Sequence, residues 1–408
     1  MQILKNLFHL LNAYLANIYF RFPAKSLEVT GITGTDGKTT TTHLIYHILK
    51  SANFPVSFIS SVEANIMGKS SDTGFHVTTP SPWQLQRLIR EAVDAGTKYL
   101  VLEVTSHALD QFRIFAIPIK IAVITNISHE HLDYHKSLEN YRRAKAKLLK
   151  GARFCVLNAD DPNFSFLRQK ATGKIIPFSL KKNEVSNKIN NQGNPNLLGQ
   201  YNQSNILAAA SVALLLNIDT FIVKKAVLTF PGVPGRLEQV KNSKHLKIYI
   251  DFAHKINALD KVLETLKKIT DNNLIAVFGS AGLRDHTKRP LMGEVAVKHA
   301  DFVVLTAEDP RTEDVRDIIA QIAQGCLRKK AMESNKRISK LKFNREKKYF
   351  FKIPDRQEAI NFAIRKLARS GDTVVICGKG HEQSMCYGNI EYPWDDKKAI
   401  NKALYGQI

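Results

Sequence analysis

The sequence alternates short β-branched runs with helical stretches, and this alternation constrains the fold more than any other feature. Strands are predicted over Leu27–Ile32, Tyr99–Glu103 and Ile121–Asn126, and helices over Thr39–Ala52 and Leu138–Lys150. Strands joined through helices run parallel in one sheet, because each helix returns the chain to the end at which the previous strand began. The pattern predicts an α/β fold with a mostly parallel sheet and helices on both faces.

A second alternating series follows Phe230–Arg236, a segment that contains two prolines and two glycines and is typical of a domain boundary. Its strands are predicted over Lys247–Asp251, Leu274–Phe278, Phe302–Leu305 and Thr373–Cys377. We therefore expect a central domain over residues 29–235 and a C-terminal, Rossmann-like α/β domain over residues 236–408. Residues 1–28 would form a separate N-terminal apolar helix.

Charge and cysteine content narrow the class of protein. The 408 residues include 59 Lys and Arg against 37 Asp and Glu, a formal net charge of +22. Such an excess favours anionic partners, which include nucleotides, nucleic acid, acidic metabolites and anionic membranes. Four cysteines without a C-x-x-C pair are too few for a disulfide scaffold, so we expect a reducing, cytoplasmic location.

The N-terminal stretch Asn6–Phe20 is apolar on most sides but shorter than the ~18–20 apolar residues of a membrane span. Arg21 follows it instead of a small-residue cleavage site, so a signal peptide is not predicted. Two interpretations stay open. The helix packs on the neighbouring domain, or it lies on a membrane surface.

The segment Gly31–Thr40 follows a predicted strand and begins a helix, which is the context of a phosphate-binding loop. Backbone N–H groups of a glycine-rich loop can face phosphate oxygens, and the positive end of the helix adds to this attraction. Lys38 could reach terminal phosphates, and the Thr39 hydroxyl could bind Mg²⁺. The strict G-x-x-x-x-G-K-[ST] form is not met, because Ile32 stands five residues before Gly37. The structural alternative is a tight strand-to-helix turn with an exposed lysine.

Two further strands end in residues typical of metal sites. Glu103 ends one strand, and the run from Asn126 to His135, which contains His131, follows the next. Both lie where a parallel sheet places its ligands. Glu103 and His131 could hold a second Mg²⁺, whereas a His-x-His-x-Asp-x-His run by itself suggests zinc. Polar loop residues that cap helices are the structural alternative.

Taken together, the motifs resemble the Mur ligases, and within them the MurE type. In chain order they are GxTGTDGKTTTT, HVTTP, EVTSHALDQFR, TNISHEHLDYH, GQYNQSN, PGRLE, DFAH, FGSAGLRDHTKRP, EDPRTED and GKGHE. The resemblance implies an N-terminal UDP-binding domain, a central P-loop ATPase domain and a C-terminal ligase domain. It further implies an ADP-forming carboxylate–amine ligase of peptidoglycan synthesis. Such a ligase adds the third amino acid to UDP-N-acetylmuramoyl-L-alanyl-D-glutamate through an acyl phosphate.

The resemblance also assigns roles in nucleotide and metal binding. Lys38, Glu103, His131 and Lys145 would form the catalytic set. Mg²⁺ would be bound by Thr39, Glu103, His131 and a carbamylated Lys145. ATP would contact Gly34, Thr35, Gly37, Lys38, Thr39, Thr40, Asn205, Arg236 and Asp251. Within that list Asn205 matches the adenine contact, Arg236 the hinge contact and Asp251 the ribose contact. Spacing alone does not single out Lys145, which stands in a basic helix with Arg142 and Arg143.

Two further sets of residues match substrate contacts of the family. The muramoyl dipeptide would contact Thr78, Thr79, Thr105, Gln111 and Arg113. An incoming diaminopimelate would contact Arg284, Glu308, Asp309, Arg311, Gly378 and Glu382. Arg311 offers a planar fork to the carboxylate that diaminopimelate has and lysine lacks. We therefore expect meso-2,6-diaminopimelate as the amino acid.

Some positions depart from the family pattern. Only about 28 residues precede the first strand, where the family usually has its UDP-binding domain, so residues 1–28 would be a remnant or replacement of it. Asp36 and Asp309 each stand where asparagine is usual, and the charge of Asp309 could favour the ammonium of lysine. The alternatives are therefore a Mur-like ligase for L-lysine or another carboxylate acceptor, and a non-catalytic nucleotide-binding partner protein. We expect a monomer without nucleic acid, with possible membrane contact through the N-terminal helix.

Overall fold

The computed structural model describes residues 2–71, 79–128, 132–181, 185, 189, 193–334 and 346–406. The chain divides into two compact units, Met1–Pro231 and Gly232–Ile408. Each unit contains its own largely parallel sheet, which confirms the predicted α/β class.

The first unit is built on an eight-stranded sheet in the order β4-β3-β2-β5-β1-β6-β7-β8. Six neighbouring strands from β2 to β8 are parallel, and β3 and β4 extend the β2 edge in antiparallel orientation. The strands are β1 Glu28–Thr33, β2 Val56–Ile59, β3 Ala64–Ile66, β4 Lys69–Ser71, β5 Tyr99–Glu103, β6 Ile119–Ile124, β7 Phe154–Asn158 and β8 Lys174–Phe178.

Helices cover both faces of this sheet and leave its central strands almost entirely buried, as the β-branched sequences of β1 and β6 predict. The helices of this unit are Gln2–Tyr19, Lys38–Ser51, Pro82–Asp94, Ser106–Asp110, Leu132–His135, Leu138–Ala146, Phe164–Lys170, Gln200–Leu215 and Thr220–Thr229. Ile32 pairs with Glu103, and Thr33 pairs with Ile124. The carboxyl ends of β1, β5 and β6 therefore lie side by side.

The N-terminal helix Gln2–Tyr19 packs on the first unit against the helix Pro82–Asp94. Ala13 and Ala16 are fully buried there, and the Asn17 side chain donates a hydrogen bond of 3.0 Å to the Phe115 carbonyl. The packed-helix interpretation is thereby confirmed for this face. Among the described helices, none has the length and apolarity to cross a membrane.

The second unit contains a seven-stranded sheet in the order β13-β14-β12-β11-β15-β10-β9, in which only β9 is antiparallel to its neighbour. Its strands are β9 Glu238–Val240, β10 Lys247–Asp251, β11 Leu274–Phe278, β12 Phe302–Leu305, β13 Met332–Glu333, β14 Tyr349–Lys352 and β15 Thr373–Cys377, followed by the hairpin of β16 Ser384–Tyr387 and β17 Ile390–Pro393. The helices are Ile256–Ile269, Lys288–His299, Val315–Arg328, Arg356–Phe362 and Asp396–Tyr405.

The helix predictions differ from the structure where a helix changes its pitch. The helix predicted over Leu138–Lys150 ends at Ala146 and continues as a 3₁₀ turn. In the second unit, the helix Arg356–Phe362 likewise continues as a π-helical turn. Strand β8 was missed because Pro177 interrupts its apolar pattern. A proline is tolerated there, since β8 is an edge strand.

Candidate active site

The predicted phosphate loop connects β1 to the helix Lys38–Ser51, and two of its glycines are required by close approach of other segments. Gly37 caps the helix with a φ of 81°, and a Cβ there would lie 2.2 Å from the Asn205 side-chain oxygen. A Cβ on Gly34 would lie 1.9 Å from the Thr125 hydroxyl. A side chain at either position would collide with the segment that supports the loop.

The residues after β6 hold the loop backbone in place. The Thr125 hydroxyl donates to the Asp36 carbonyl at 2.6 Å, and the Asn126 amide makes a reciprocal pair with the Asp36 backbone, both bonds being 3.0 Å. The Ser128 N–H donates to the Thr35 hydroxyl at 2.9 Å. Sequence reasoning noted these residues only as part of the TNIS motif and missed their role as supports. The loop is pre-organised by hydrogen bonds between uncharged side chains and the backbone.

Two lysines converge on one carbonyl of this loop. Lys38 Nζ donates to the carbonyl oxygens of Gly34 and Thr35, both at 3.0 Å. Lys145 is 1% exposed, and its Nζ donates to the same Gly34 carbonyl at 2.7 Å and lies 4.7 Å from the Tyr141 ring centroid. The interpretation of Lys145 as one residue of a basic helix is therefore incomplete. Its own side chain faces the buried loop.

Glu103 forms an oxygen cluster with Thr39 and Ser61 beside the loop. Glu103 is buried, and its carboxylate accepts hydrogen bonds from the Thr39 hydroxyl at 3.2 Å and from the Ser61 N–H at 3.0 Å. The two hydroxyls lie 3.1 Å apart. A carboxylate with adjacent hydroxyls is a hard-oxygen donor set, which suits Mg²⁺ better than zinc. Ser61 was missed, because no motif of the sequence marks it.

The metal-ligand set is only partly within the described residues. His131 lies outside them, as does Thr78 of the predicted dipeptide site. Within the ranges that the structure describes, no group of three His, Cys, Asp or Glu side chains is placed to hold a metal ion. The zinc interpretation of the histidine-rich run has no support from those ranges.

The remaining predicted dipeptide contacts form one hydrogen-bonded cluster after β5. The Thr105 N–H donates to the Thr79 hydroxyl at 3.1 Å, and the Arg113 guanidinium donates to the Thr79 carbonyl at 2.7 Å. Arg113 also donates to the Gln111 side-chain oxygen at 3.0 Å. Burial lowers the pKa of Arg113, but an arginine stays charged at neutral pH. The cluster thus holds a cation near the ends of β1 and β5.

Three residues that sequence reasoning missed extend this cluster. The Tyr134 hydroxyl donates to Asp110 at 3.1 Å, and Lys147 Nζ forms an ion pair with the same carboxylate at 2.8 Å. Burial by itself raises the pKa of Asp110, but the hydrogen bond and charge of Lys147 outweigh burial and lower it. Asp110 therefore fixes both the tyrosine and the lysine.

Asn205, the predicted adenine contact, is buried against the loop. Its side-chain oxygen accepts a hydrogen bond from Thr41 at 3.4 Å, and its amide donates to Asn202 at 3.1 Å. The helix Gln200–Leu215 thereby packs on the helix that follows the loop.

In the second unit, Asp251 ends β10 and accepts two backbone hydrogen bonds, from the N–H groups of Leu237 and Ala253, both at 2.7 Å. Burial raises the pKa of Asp251, although the charge of Arg236 and these two N–H groups oppose the rise. The Arg236 guanidinium lies 4.4 Å from the Phe252 ring centroid. The predicted hinge and ribose contacts are therefore neighbours in one unit.

Several predicted amino-acid contacts surround Lys379, which was missed although it stands in the GKGHE motif. Lys379 is fully buried, and its Nζ lies 2.8 Å from Asp309 and 2.6 Å from Glu382. Burial by itself lowers the pKa of Lys379, but the charges of Glu382 and Asp309 outweigh burial and raise it. The Asp309 carboxylate thus faces Lys379, where the sequence suggested an interaction with an incoming ammonium.

Glu308 lies beside this ion cluster and next to Gly378. A Cβ on Gly378, whose φ is 111°, would lie 2.9 Å from Glu308 Oε2. That oxygen is buried and accepts no hydrogen bond from the described residues. Burial raises the pKa of Glu308 to about 7, although Lys288 and Lys379 oppose the rise.

Two further predicted contacts lie elsewhere in the same unit. Arg311 has a φ of 54°, and its backbone pairs with the hairpin of β16 and β17 through Cys386 at 3.0 Å and Gly388 at 2.7 Å. Arg284 is in an exposed loop. The structure brings Glu308, Asp309, Gly378 and Glu382 together and leaves the two arginines more accessible.

Family models match most of the chain. The Mur ligase middle domain matches residues 32–213, and the Mur ligase glutamate ligase domain matches residues 235–380. The chain belongs to the Mur ligase family.

Relatives of known name show which type of Mur ligase this chain is similar to. UDP-N-acetylmuramoyl-L-alanyl-D-glutamate–2,6-diaminopimelate ligase of Syntrophomonas wolfei is 36% identical over 419 residues, which cover 97% of this chain and 82% of the relative. The ligase of the same name from Aquifex aeolicus is 36% identical over 96% of this chain and 80% of its own length. The resemblance to the MurE type is confirmed.

Solved structures agree with this assignment. A structure titled as the same diaminopimelate ligase has a TM-score of 0.61 at 31% identity and covers 93% of this chain and 78% of its own. A Mycobacterium tuberculosis folylpolyglutamate synthase has a TM-score of 0.70 at 17% identity, over 98% of this chain and 96% of its own. At that identity the second likeness shows the shared fold alone.

Proposed function

We propose that this protein is an ATP-dependent amide ligase that joins meso-2,6-diaminopimelate to UDP-N-acetylmuramoyl-L-alanyl-D-glutamate in peptidoglycan synthesis. The observation that carries the proposal is the pre-organised loop with Lys38, Lys145 and the Glu103 cluster at adjacent strand ends. The names of relatives at 32–36% identity supply the substrates. The reaction takes place in the cytoplasm, where we expect the protein to act as a monomer without nucleic acid.

Members of this family use ATP and Mg²⁺, and the described residues fit both. The loop N–H groups at the start of the helix Lys38–Ser51 can face phosphates, and the Glu103 cluster offers hard oxygen donors. ATP supplies the phosphoryl group that activates the acceptor carboxylate as an acyl phosphate, and Mg²⁺ offsets the phosphate charge. The chain's own contribution is to orient the phosphates through the loop N–H groups and to present Lys38 as a cation. Thr35, Thr40 and Asn205 are further proposed nucleotide contacts in the first unit.

We further propose that Lys145 is carbamylated in the active enzyme. Its amine is buried within 2.7 Å of the carbonyl of Gly34, which follows β1, and Glu103 ends the neighbouring strand β5. A carbamate would turn this cation into an anion, and an anion suits a Mg²⁺ site. In this proposal Thr39, Glu103, His131 and Lys145 form the ligand set.

The proposed acceptor site consists of Thr78, Thr79, Thr105, Gln111 and Arg113. The Arg113 guanidinium is held by two hydrogen bonds and can pair with an acceptor carboxylate. For the amino acid, Arg311 pairs with the distal carboxylate of diaminopimelate, and the remaining contacts come from Arg284, Glu308, Asp309, Gly378 and Glu382. Because Asp309 is already paired with Lys379, its charge does not neutralise Arg311.

ADP release tests the proposal directly. Purified protein would be assayed with Mg²⁺-ATP, UDP-N-acetylmuramoyl-L-alanyl-D-glutamate and either meso-diaminopimelate or L-lysine, together with a panel of other carboxylate acceptors. We expect ADP release only with the muramoyl dipeptide, and a higher kcat/KM with diaminopimelate, because lysine would leave Arg311 unpaired. The Arg311→Ala variant should lose this selectivity.

The alternatives give different results in the same assay. Equal or better efficiency with lysine identifies a lysine-adding ligase, and turnover with another acceptor identifies a different Mur-like ligase. Nucleotide binding without turnover for any acceptor identifies a non-catalytic partner protein. We also propose functional boundaries at residues 28/29 and 235/236, which truncated proteins would test through nucleotide binding.

A further inference from the structure

The N-terminal helix Gln2–Tyr19 has its large apolar side chains on the outside. The most exposed are Leu7 at 61%, Phe8 at 64% and Tyr19 at 71%, and the others are Leu11, Tyr14, Leu15 and Ile18. We call these seven residues the outer stripe. At 100° per residue they cover an arc of about 140° on one side of the helix.

The opposite side of this helix carries small residues. Ala13 and Ala16 are fully buried, and Asn17 is 1% exposed. The Asn17 amide donates to the carbonyl of Ala13 at 2.8 Å and to that of Phe115 at 3.0 Å, which fixes the rotation of the helix. An ordinary surface helix buries its large apolar residues and exposes polar ones. This helix does the reverse, so burial within its own unit does not account for the outer stripe.

Aromatic side chains extend the stripe onto the body of the unit. Trp83 is 41% exposed with its ring centroid 5.6 Å from that of Tyr19, and Phe115 is 36% exposed and 6.3 Å from Tyr14. A continuous apolar surface of this kind marks an interaction site on a protein. Tyrosine and tryptophan are the residues that favour the boundary between water and lipid.

The charged residues near the outer stripe indicate what kind of surface it binds. Residues 1–27 contain no Asp or Glu, and the exposed Arg21 and Lys25 follow the helix directly. A protein partner with an apolar surface would not require this one-sided charge, whereas an anionic membrane surface attracts it. We propose that the outer stripe docks the protein on an anionic lipid bilayer, with the helix lying in the plane of the headgroups.

Vesicle binding by the full-length protein tests the proposal. The protein would be sedimented with vesicles of phosphatidylcholine alone and of phosphatidylcholine mixed with phosphatidylglycerol. We expect binding to the mixed vesicles, and a loss of roughly ten-fold or more in affinity for the double variant Leu11→Gln, Leu15→Gln. Glutamine keeps the helix propensity of leucine, so the helix itself should persist.

A matched control uses a second exposed apolar pair in the same unit. Phe221 is 72% exposed and Leu228 is 53% exposed, both on the helix Thr220–Thr229. The variant Phe221→Gln, Leu228→Gln should bind vesicles as the unmodified protein does. The variant Arg21→Gln, Lys25→Gln should bind mixed vesicles more weakly, by roughly five-fold for each charge removed.

Tryptophan fluorescence reports the site of contact. The chain has two tryptophans, and Trp83 borders the stripe while Trp394 lies in the second unit. Mixed vesicles should shift the emission to shorter wavelength, and Trp83→Phe should abolish the shift.

A protein that does not bind mixed vesicles, or that binds equally well without Leu11 and Leu15, overturns the proposal. If light scattering shows a dimer that these substitutions dissociate, and vesicles do not bind, the stripe is a contact between two copies instead.

Discussion

The two units hold the lysines of their predicted sites in different ways. In the first unit, Lys38 and Lys145 donate to backbone carbonyl oxygens of the phosphate loop, and the Glu103 carboxylate accepts from hydroxyl and N–H groups. In the second unit, the fully buried Lys379 is paired with the carboxylates of Asp309 and Glu382.

Lys38 thus has neutral carbonyl oxygens among its contacts, whereas the carboxylates of Asp309 and Glu382 offset the charge of Lys379. A carbonyl oxygen offsets only part of an ammonium charge, so an anionic ligand near the loop can gain from Lys38. The ion pairs of Lys379 already offset its charge. Removing one partner of such a buried pair leaves the other charge buried and unpaired, at a large cost in desolvation. We therefore expect substitutions at the loop lysines to affect mainly catalysis and substitutions at Lys379 to affect mainly stability.

The largest expected effect is on ATP turnover. Lys38→Ala should lower ADP release by roughly 10³–10⁴-fold, because the phosphates lose a positioned cation. The exposed Lys50 at the end of the same helix provides the control, and Lys50→Ala should retain activity. Undiminished turnover in a folded Lys38→Ala protein would contradict the assignment of this segment as a phosphate-binding loop.

Lys145 provides a second test of the expectation that the loop lysines of the first unit affect catalysis. Lys145→Ala should reduce ADP release by roughly 10³-fold, since it removes a charged group from the reacting centre. If the residue is carbamylated, acetate or formate in solution should restore part of the activity. Arg143→Ala, which removes only an exposed ion pair with Glu139 on the same helix, should remain active. A Lys145→Ala protein with full activity would show that the buried amine has no catalytic role.

For the second unit, the expected loss is of stability. Lys379→Met should lower the free energy of unfolding by about 3–5 kcal/mol, because it leaves Asp309 and Glu382 without their buried cation. Lys397→Met breaks an ion pair with Glu238 in which the lysine side chain is 56% exposed, and it should cost about 0–1 kcal/mol. Denaturant unfolding followed by circular dichroism compares the two. Equal midpoints for both variants would contradict the proposed difference.

The smallest expected effect is a change in pH dependence. The pKa of Glu308 is raised by burial to about 7, so in the folded protein its ionisation is unfavourable. Its contribution to stability is fully present below the unfolded pKa and is lost as pH rises through about 7. Relative to Glu308→Gln, the unmodified protein should therefore lose about 3 kcal/mol between pH 4 and pH 8.

Glu313 is a control for which the expected change of stability with pH has the opposite sign. The hydrogen bond from Arg289 lowers the pKa of Glu313 to about 2, so its contribution is present above the unfolded pKa and is lost on acidification through about 2. Unfolding of the Glu308→Gln and Glu313→Gln variants, measured across the pH range, checks the signs. A Glu308→Gln curve parallel to that of the unmodified protein would mean that Glu308 titrates normally.

Local features could be predicted from the sequence. The strand boundaries of β5, β10, β11, β12 and β15 were predicted to the residue. The glycine loop, the strand-end position of Glu103 and the family were also recognised. Each depends on residues close together in the chain: a run of β-branched side chains buried on both faces, or glycines beside Lys-Thr at a helix start.

The tertiary structure alone decided which side chains meet across long separations. Lys145 was indistinguishable from its basic neighbours until helix packing turned its amine toward the Gly34 carbonyl, 111 residues away. The sequence suggested that Asp309 could favour the ammonium of a ligand, but it pairs with Lys379, 70 residues away. The outward position of the N-terminal stripe likewise depends on the Asn17 contact with Phe115. A sequence records the identity of a charged or apolar group, but burial and partner determine its energy, and both arise only when distant segments pack.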